Sequence, residues 1–244
     1  MNDFIISFNS DVIISAAISG RINAIGNISH KNNPDSEGLL NMLEKVIDYD
    51  ENNIGYISAR AEKEAQKNIE SALNGVLNIY WKDNGISDEE RVEYSDAIAV
   101  FNRNVRSKLD KYIFMLNRKF IRKKQLDKYT KKLKQEFNNL QAQYKTRCDY
   151  YDRRNGVIKT RGIEIKELKE FKPDIEDGDI EIIAQAILVN GNKVRYLASI
   201  DGHIVLSQSR KMLEEKFGLC ARQPKDLIHI VRKRYKHILK QSGF

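Results

Sequence analysis

Four places in this chain set a hard oxygen donor beside a short apolar run. Asn9 to Asp11 follows Phe4–Phe8, and Glu64 lies on a helix-like stretch after Gly55–Ser58. Asp179 opens a helix-like stretch after Gly178, and Asp201 follows Tyr196–Ile200. Open α/β sheets put their ligand sites beyond the carboxyl ends of the strands, which is where these residues fall if the apolar runs are strands. Several carboxylates gathered in one cleft cannot all ionise cheaply unless a divalent cation joins them, so such a cluster implies Mg²⁺ or Mn²⁺. A cation held there would bind a phosphate oxygen and activate water for in-line attack.

The elements that must position these residues can be read from spacing. Phe4–Phe8 reads as a strand, followed by a helix through Val12–Ile18. Gly55–Ser58 reads as a second strand, with Ser58 capping a helix that runs through Glu64 and Ile69. Later come a helix from Asp179 through Ile187, a strand over Val194–Ser199, a helix over Ser209–Phe217 and an edge strand over Leu219–Arg222. Pro224 stands where a last helix starts, with Leu227, Ile228, Val231, Tyr235 and Ile238 as its apolar face. Short strands followed by helices are what an α/β sheet requires.

The middle of the chain differs. It has no Gly between Gly85 and Gly156 and no Pro between Pro34 and Pro173, so it must be mostly helix. One apolar stripe runs Ile98, Phe101, Val105, Leu109, Tyr112, Leu116, Phe120; a second runs Leu126, Tyr129, Leu133, Phe137, Leu140, Tyr144, Cys148, Tyr151. The phase breaks between Phe120 and Leu126, which predicts two long helices packed antiparallel with a turn near Ile121–Gln125. The expected organisation is therefore an α/β domain in two parts, 1–75 and 166–244, interrupted by a helical hairpin arm over 76–165.

Charge is concentrated at the tip of that arm. The whole chain carries +8, and the segment 118–134 alone has nine basic side chains (Arg118, Lys119, Arg122, Lys123, Lys124, Lys128, Lys131, Lys132, Lys134) against one acid, Asp127. A dense basic segment attracts a polyanion by releasing its condensed counterions, and Tyr112, Phe120 and Tyr129 lie within reach of it. Composition adds exclusions. No run approaches the roughly 18 apolar residues of a membrane helix, and Met1–Ser7 has neither the basic start nor the apolar length of a signal peptide, so a cytoplasmic location is expected. The two cysteines, Cys148 and Cys220, have no partner at a metal-ligand spacing and read as buried thiols.

The four motifs, in this order and spacing, resemble those of PIN-domain ribonucleases over both flanks of the chain, about 145 residues, but not over the helical insert. Phe8-Asn9-Ser10-Asp11-Val12-Ile13-Ile14-Ser15 resembles the family's opening strand, and Ile57–Glu64 its second motif with Glu64 as the acid. Gly178–Ala186 resembles the third, an aspartate starting an alanine-rich helix; Leu197–Ile204 resembles the fourth, a hydroxyl residue, a spacer and an aspartate. The resemblance implies a PIN-like α/β/α sandwich with a parallel central sheet, interrupted by the helical hairpin. It implies catalytic positions at Asn9, Glu64, Asp179 and Asp201, metal ligation by Asp11, Glu64, Asp179 and Asp201 with Mg²⁺ or Mn²⁺, and substrate contacts from Ser10, Ser199 and His203. The departure is Asn9, where the family has its first metal-binding aspartate: an amide keeps the shape and loses the charge. Inactivation of an ancestral enzyme by substitution is the leading reading, beside a natural pseudo-enzyme and a compensating role for Asp11, which shares a face with residue 9 if the strand runs that far.

The other candidates read as ordinary features. Glu181 suits a first-turn acid, and His30, His229 and His237 belong to no constellation. Lys225 and the tail cluster Arg232, Lys233, Arg234, Lys236, Lys240 suit a solvated helix face. The expected function is a metal-dependent endoribonuclease on structured RNA, weakened at Asn9, with Arg118, Lys119, Arg122, Lys123, Lys124, Lys128, Lys131 and Lys132 holding the backbone. In architecture the expected arm resembles that of small protein-only RNase P enzymes, which makes transfer RNA one candidate substrate. A catalytically dead RNA-binding or assembly module, with homo-oligomers formed through the helices, is the alternative; a toxin-like ribonuclease or a DNA nuclease stands behind both.

Overall fold

The structure is a computed structural model that describes residues 4–19, 34–50, 54–147, 150–152, 157–160, 163–165, 175–189, 193–205 and 207–241. It is an α/β fold. Strands β1 (Phe4–Phe8), β2 (Gly55–Ile57), β6 (Val194–Ala198) and β7 (Leu219–Arg222) form one parallel sheet in the order β2-β1-β6-β7. Three short strands, β3 (Tyr150–Asp152), β4 (Val157–Thr160) and β5 (Ile163–Ile165), form an antiparallel sheet of their own. The second apolar stripe predicts helix as far as Tyr151, but the helix stops at Arg147 and Tyr150 already pairs with Lys159.

The chain forms two compact units. The first contains Phe8–Arg118 and Pro224–Phe244, the second Asn2–Ser7 and Lys119–Gln223. Neither unit has its limits at 76 or 165, where the hairpin arm is expected to begin and end.

In the first unit the centre is α1 (Ser10–Ile18), whose Val12, Ile13, Ala16, Ala17 and Ile18 are all buried. A helix apolar around most of its girth needs partners on several sides. Among the described residues it packs on α2 (Pro34–Asp50), α3 (Ala59–Asn84) and α5 (Ser95–Met115). No element is expected over 34–50 from the sequence pattern, yet Leu39, Leu40, Met42, Leu43 and Val46 of α2 are fully buried. Helices α10 (Pro224–Arg234) and α11 (Lys236–Gln241) also pack on α2. Ser58 caps α3 as expected, accepting from the Ala61 N–H at 2.9 Å. The short α4 (Asp88–Arg91) leads from α3 toward α5 and opens with a capping box between Ser87 and Glu90.

The first apolar stripe is buried at Phe101, Val105, Leu109, Tyr112 and Leu116, and α5 spends it on α1 and α3. Burial pushes the Tyr112 phenol well above its usual range, and its hydroxyl donates to Asn41 Oδ1 at 3.0 Å. The stripe ends sooner than the spacing suggests: α5 stops at Met115, and Phe120 is 89% exposed. Just past α5, Asn117 bridges β2, donating to the Gly55 carbonyl and accepting from the Ile57 N–H.

In the second unit, α6 (Lys123–Arg147) buries Leu133 and Phe137 and packs on α7 (Asp177–Leu188) and α9 (Ser207–Phe217). Each long helix has partners within its own unit, α1 and α3 for α5, and α7 and α9 for α6. The side chains of Tyr144 and Tyr151, and Cys148 entirely, lie outside the described residues. β6 and β7 pair in parallel with Arg195 opposite Leu219, and α9 is their crossover. Arg195 ties the carboxyl ends of two helices, donating to the carbonyls of Ile187 at 2.6 Å and Phe217 at 3.0 Å. Cys220, expected to be buried, is half-buried, and that partial burial pushes its thiol up.

Gly218 ends α9 with φ +61°, and a Cβ there would stand 3.0 Å from an Arg195 nitrogen. Gly75, inside α3, has nothing within 4 Å of a Cβ. The two positions should respond oppositely to alanine. Gly218→Ala is expected to destabilise by roughly 1–3 kcal/mol, through the left-handed backbone. Gly75→Ala should stabilise by up to about 1 kcal/mol by removing glycine from a helix interior. Urea denaturation of the two variants checks both signs.

Candidate functional site

β1 is buried along its whole length, so the first side chains able to do chemistry stand at the turn that follows it. Asn9 forms that turn. Its backbone is extended (φ −76°, ψ 154°), and its Oδ1 accepts from the Ser10 N–H at 2.8 Å, which makes it the N-cap of α1. The side chain is only 2% exposed. The Ser10 Oγ lies 3.4 Å from both Asn9 Oδ1 and Glu64 Oε2. Two of the four expected site positions, one after β1 and one on α3, therefore converge on a single hydroxyl.

Glu64 is not an isolated charge. Arg60, one turn earlier on α3, sets its Nε 2.5 Å from Glu64 Oε1. Asp11 is engaged locally as well, accepting the Val12 N–H at 2.6 Å. The expectation that residues 9 and 11 share a strand face fails, because the strand ends at Phe8 and both residues belong to a helix start. A hard cation would meet only oxygen donors here, which suits Mg²⁺ or Mn²⁺. It would meet one carboxylate, already paired, and one neutral amide. Among the described residues no group of three or more His, Cys, Asp or Glu side chains is arranged to hold a metal ion.

The other two motif positions belong to the second unit. Asp179 lies half-buried in the first turn of α7, where the helix dipole favours an acid. Glu181 accepts from Gln185 at 3.2 Å along the same helix, in keeping with an ordinary first-turn acid. After β6, Ser199 is fully buried; its N–H donates to the Arg222 carbonyl at 3.1 Å, and its Oγ accepts from the Asp201 N–H at 3.0 Å. Asp201 in turn begins α8 (Gly202–Val205), its carbonyl accepting from Ile204 and Val205. Ser199, expected as a substrate contact, thus shapes the turn that presents Asp201. The side chain of His203 lies outside the described residues.

The basic segment separates into engaged and unengaged charges. Arg118 grips Glu62 with two hydrogen bonds, at 2.7 and 2.9 Å, and that grip holds the Glu62 carboxyl below its usual range. Lys119 donates to the Val189 carbonyl, Lys134 pairs with Asp177 at 2.7 Å, and Lys132 lies 5.1 Å over the Phe217 ring. Arg122, Lys123, Lys124, Lys128 and Lys131 are exposed and make no ion pair or side-chain hydrogen bond with a described residue. Lys124, Lys128 and Lys131, spaced four and three apart, share the face of α6 opposite Leu133 and Phe137. Spacing could have shown that face and the Arg60–Glu64 pair. The capture of Arg118 and Lys119 depends on tertiary neighbours that no local pattern reveals.

Comparison with protein-family models, curated proteins and solved structures finds no match to this chain.

The Asn9 cap carries a stability prediction of its own. Asn9→Ala should cost about 1 kcal/mol through loss of the cap, whereas Asn9→Ser, which keeps an acceptor there, should stay within a few tenths. Urea midpoints at constant m-value measure the difference.

Proposed function

We propose that this chain acts on RNA through a PIN-like α/β/α sandwich whose metal-dependent endoribonuclease site is weakened at position 9. The observation that carries the reading is the convergence of Asn9 and Glu64 on the Ser10 hydroxyl, at the turn directly after a buried parallel strand. The element positions of the remaining motif residues agree with it: Asp179 in a first helical turn, and Asp201 two residues beyond a buried serine at a strand end. Restoring a carboxylate at residue 9 would add the second charge that a divalent cation needs beside Glu64. Such a cation supplies a Lewis acid and an activated water for phosphodiester hydrolysis. The chain's own residues cap, orient and balance charge: Ser10 stands between the two donors, Arg60 neutralises Glu64 while position 9 is neutral, and Ser199 fixes the Asp201 turn.

The five cations of α6 and the turn before it that have no partner among the described residues favour a second reading, an RNA-binding module that does not cut. Cleavage separates the two. This chain and its Asn9→Asp form are compared on labelled structured RNA, transfer RNA included, with Mn²⁺ and with chelator. The Asn9→Asp form should gain metal-dependent cleavage on the order of 100-fold, the scale on which metal-site changes act. A further Asp201→Ala change should abolish the gain. If neither form cuts RNA or DNA while both bind RNA, the nuclease reading fails and the binding reading stands.

A further inference from the structure

The carboxyl-terminal helices, read from sequence as a solvated basic face, form a cleft. His229, Arg232, Lys233, Lys236 and Lys240 recur at helical spacings of three and four along α10 and α11, with Leu239 at the base. Leu227, Val231 and Ile238 are buried on the side that meets α2. Hydrogen bonding runs on through the junction, from the Tyr235 N–H to Val231 at 2.9 Å and from the Leu239 N–H to Tyr235 at 3.0 Å. The helix nevertheless bends at Tyr235, and the basic stripe lines a concavity of about 370 Å³.

In the same unit Arg60, Arg106, Lys108, Lys111 and Arg118 each meet a carboxylate, while Lys63, Lys67, Lys82 and Arg103 of α3 and α5 meet none among the described residues. What sets α10–α11 apart is that its unpaired cations line one concavity. Arg232, Lys233, Lys236 and Lys240 meet none among the described residues, and the one acid of 224–241, Asp226, does not line the cleft. Four cations focused in one concavity repel one another and raise the local positive potential. A single monovalent anion would leave most of that charge unbalanced, whereas linked phosphates bring several negative charges on one small group. The volume lies at the lower end of small-ligand pockets, roughly 300–1,000 Å³. An arginine can grip phosphate oxygens with two parallel hydrogen bonds, and lysines act as adaptable point charges around it.

We propose that the α10–α11 cleft is a binding site for a di- or triphosphate group, free or as part of a nucleotide. It is independent of the carboxylate site and of the α6 lysines.

Isothermal titration calorimetry on the full chain at physiological ionic strength tests it, with inorganic pyrophosphate, tripolyphosphate, ADP and ATP as ligands and orthophosphate and sulfate as controls. Tripolyphosphate should bind at one per chain and at least tenfold more tightly than sulfate. The double change Lys233→Glu, Lys236→Glu should abolish that binding, Lys233→Arg should retain it, and Lys124→Glu with Lys128→Glu on α6 should leave it unchanged. ATP binding more tightly than tripolyphosphate assigns the site to a nucleotide; equal or weaker binding assigns it to the phosphate chain itself. All the substituted side chains are exposed, and circular dichroism verifies that the variants fold. No binding of any di- or triphosphate, equal binding of sulfate, or equal loss from the α6 changes would overturn the proposal.

Discussion

The turn at Asn9 is the constraint from which the first unit is built. A strand with no exposed side chain gives way in one residue to a helix that is apolar around most of its girth. The exposed N–H groups of that helix start must be satisfied where little water reaches, and a buried side-chain oxygen at position 9 does so. Because α1 is fixed there, its flanks are free to take α2, α3 and α5, and α2 in turn takes α10 and α11. The same turn brings the Ser10 hydroxyl to Glu64, so structural support and candidate chemistry share one residue. Asparagine and aspartate cap helices about equally well. A change between them can therefore alter charge at the site while leaving its scaffold in place.

Much of the architecture was legible because it rests on local chemistry. Ser58 caps α3, Pro224 opens α10, and the runs around Phe4–Phe8, Val194–Ala198 and Leu219–Arg222 are strands. What a stripe cannot specify is its partner. The apolar faces of α5 and α6 are real, but Phe101, Val105 and Leu109 serve one unit while Leu133 and Phe137 serve another. The ends of those stripes misled for a related reason: Phe120 keeps the helical spacing and lies beyond a helix that has already stopped at Met115. α2 went unread although Leu39, Leu43 and Val46 repeat at helical intervals. Its charged residues dilute the pattern, and only tertiary packing makes the stripe fully buried.

Legibility of the site followed the same division. Residue types and their order along the chain could be read directly, and so could the departure at Asn9. Engagement could not. Glu64 meets Arg60, Asp11 meets its own neighbour's N–H, and Arg118 meets Glu62. Each contact engages a group that the bare sequence shows as free. Clusters of cations without an ion pair among the described residues, on α6 and in the α10–α11 cleft, are consequently more informative about partners than the total of +8.

In the proposed nuclease site, position 9 and Glu64 are two halves of one cation site that lacks a charge in this chain. Calorimetric titration of Mn²⁺ into this chain and its Asn9→Asp form, with Glu64→Gln added to each, measures this without any need for turnover. Binding at least tenfold tighter is expected in the Asn9→Asp form, with that gain lost when Glu64→Gln is added. Equal Mn²⁺ affinity in the two chains, both folded, would contradict the proposal and leave Asn9 a helix cap alone.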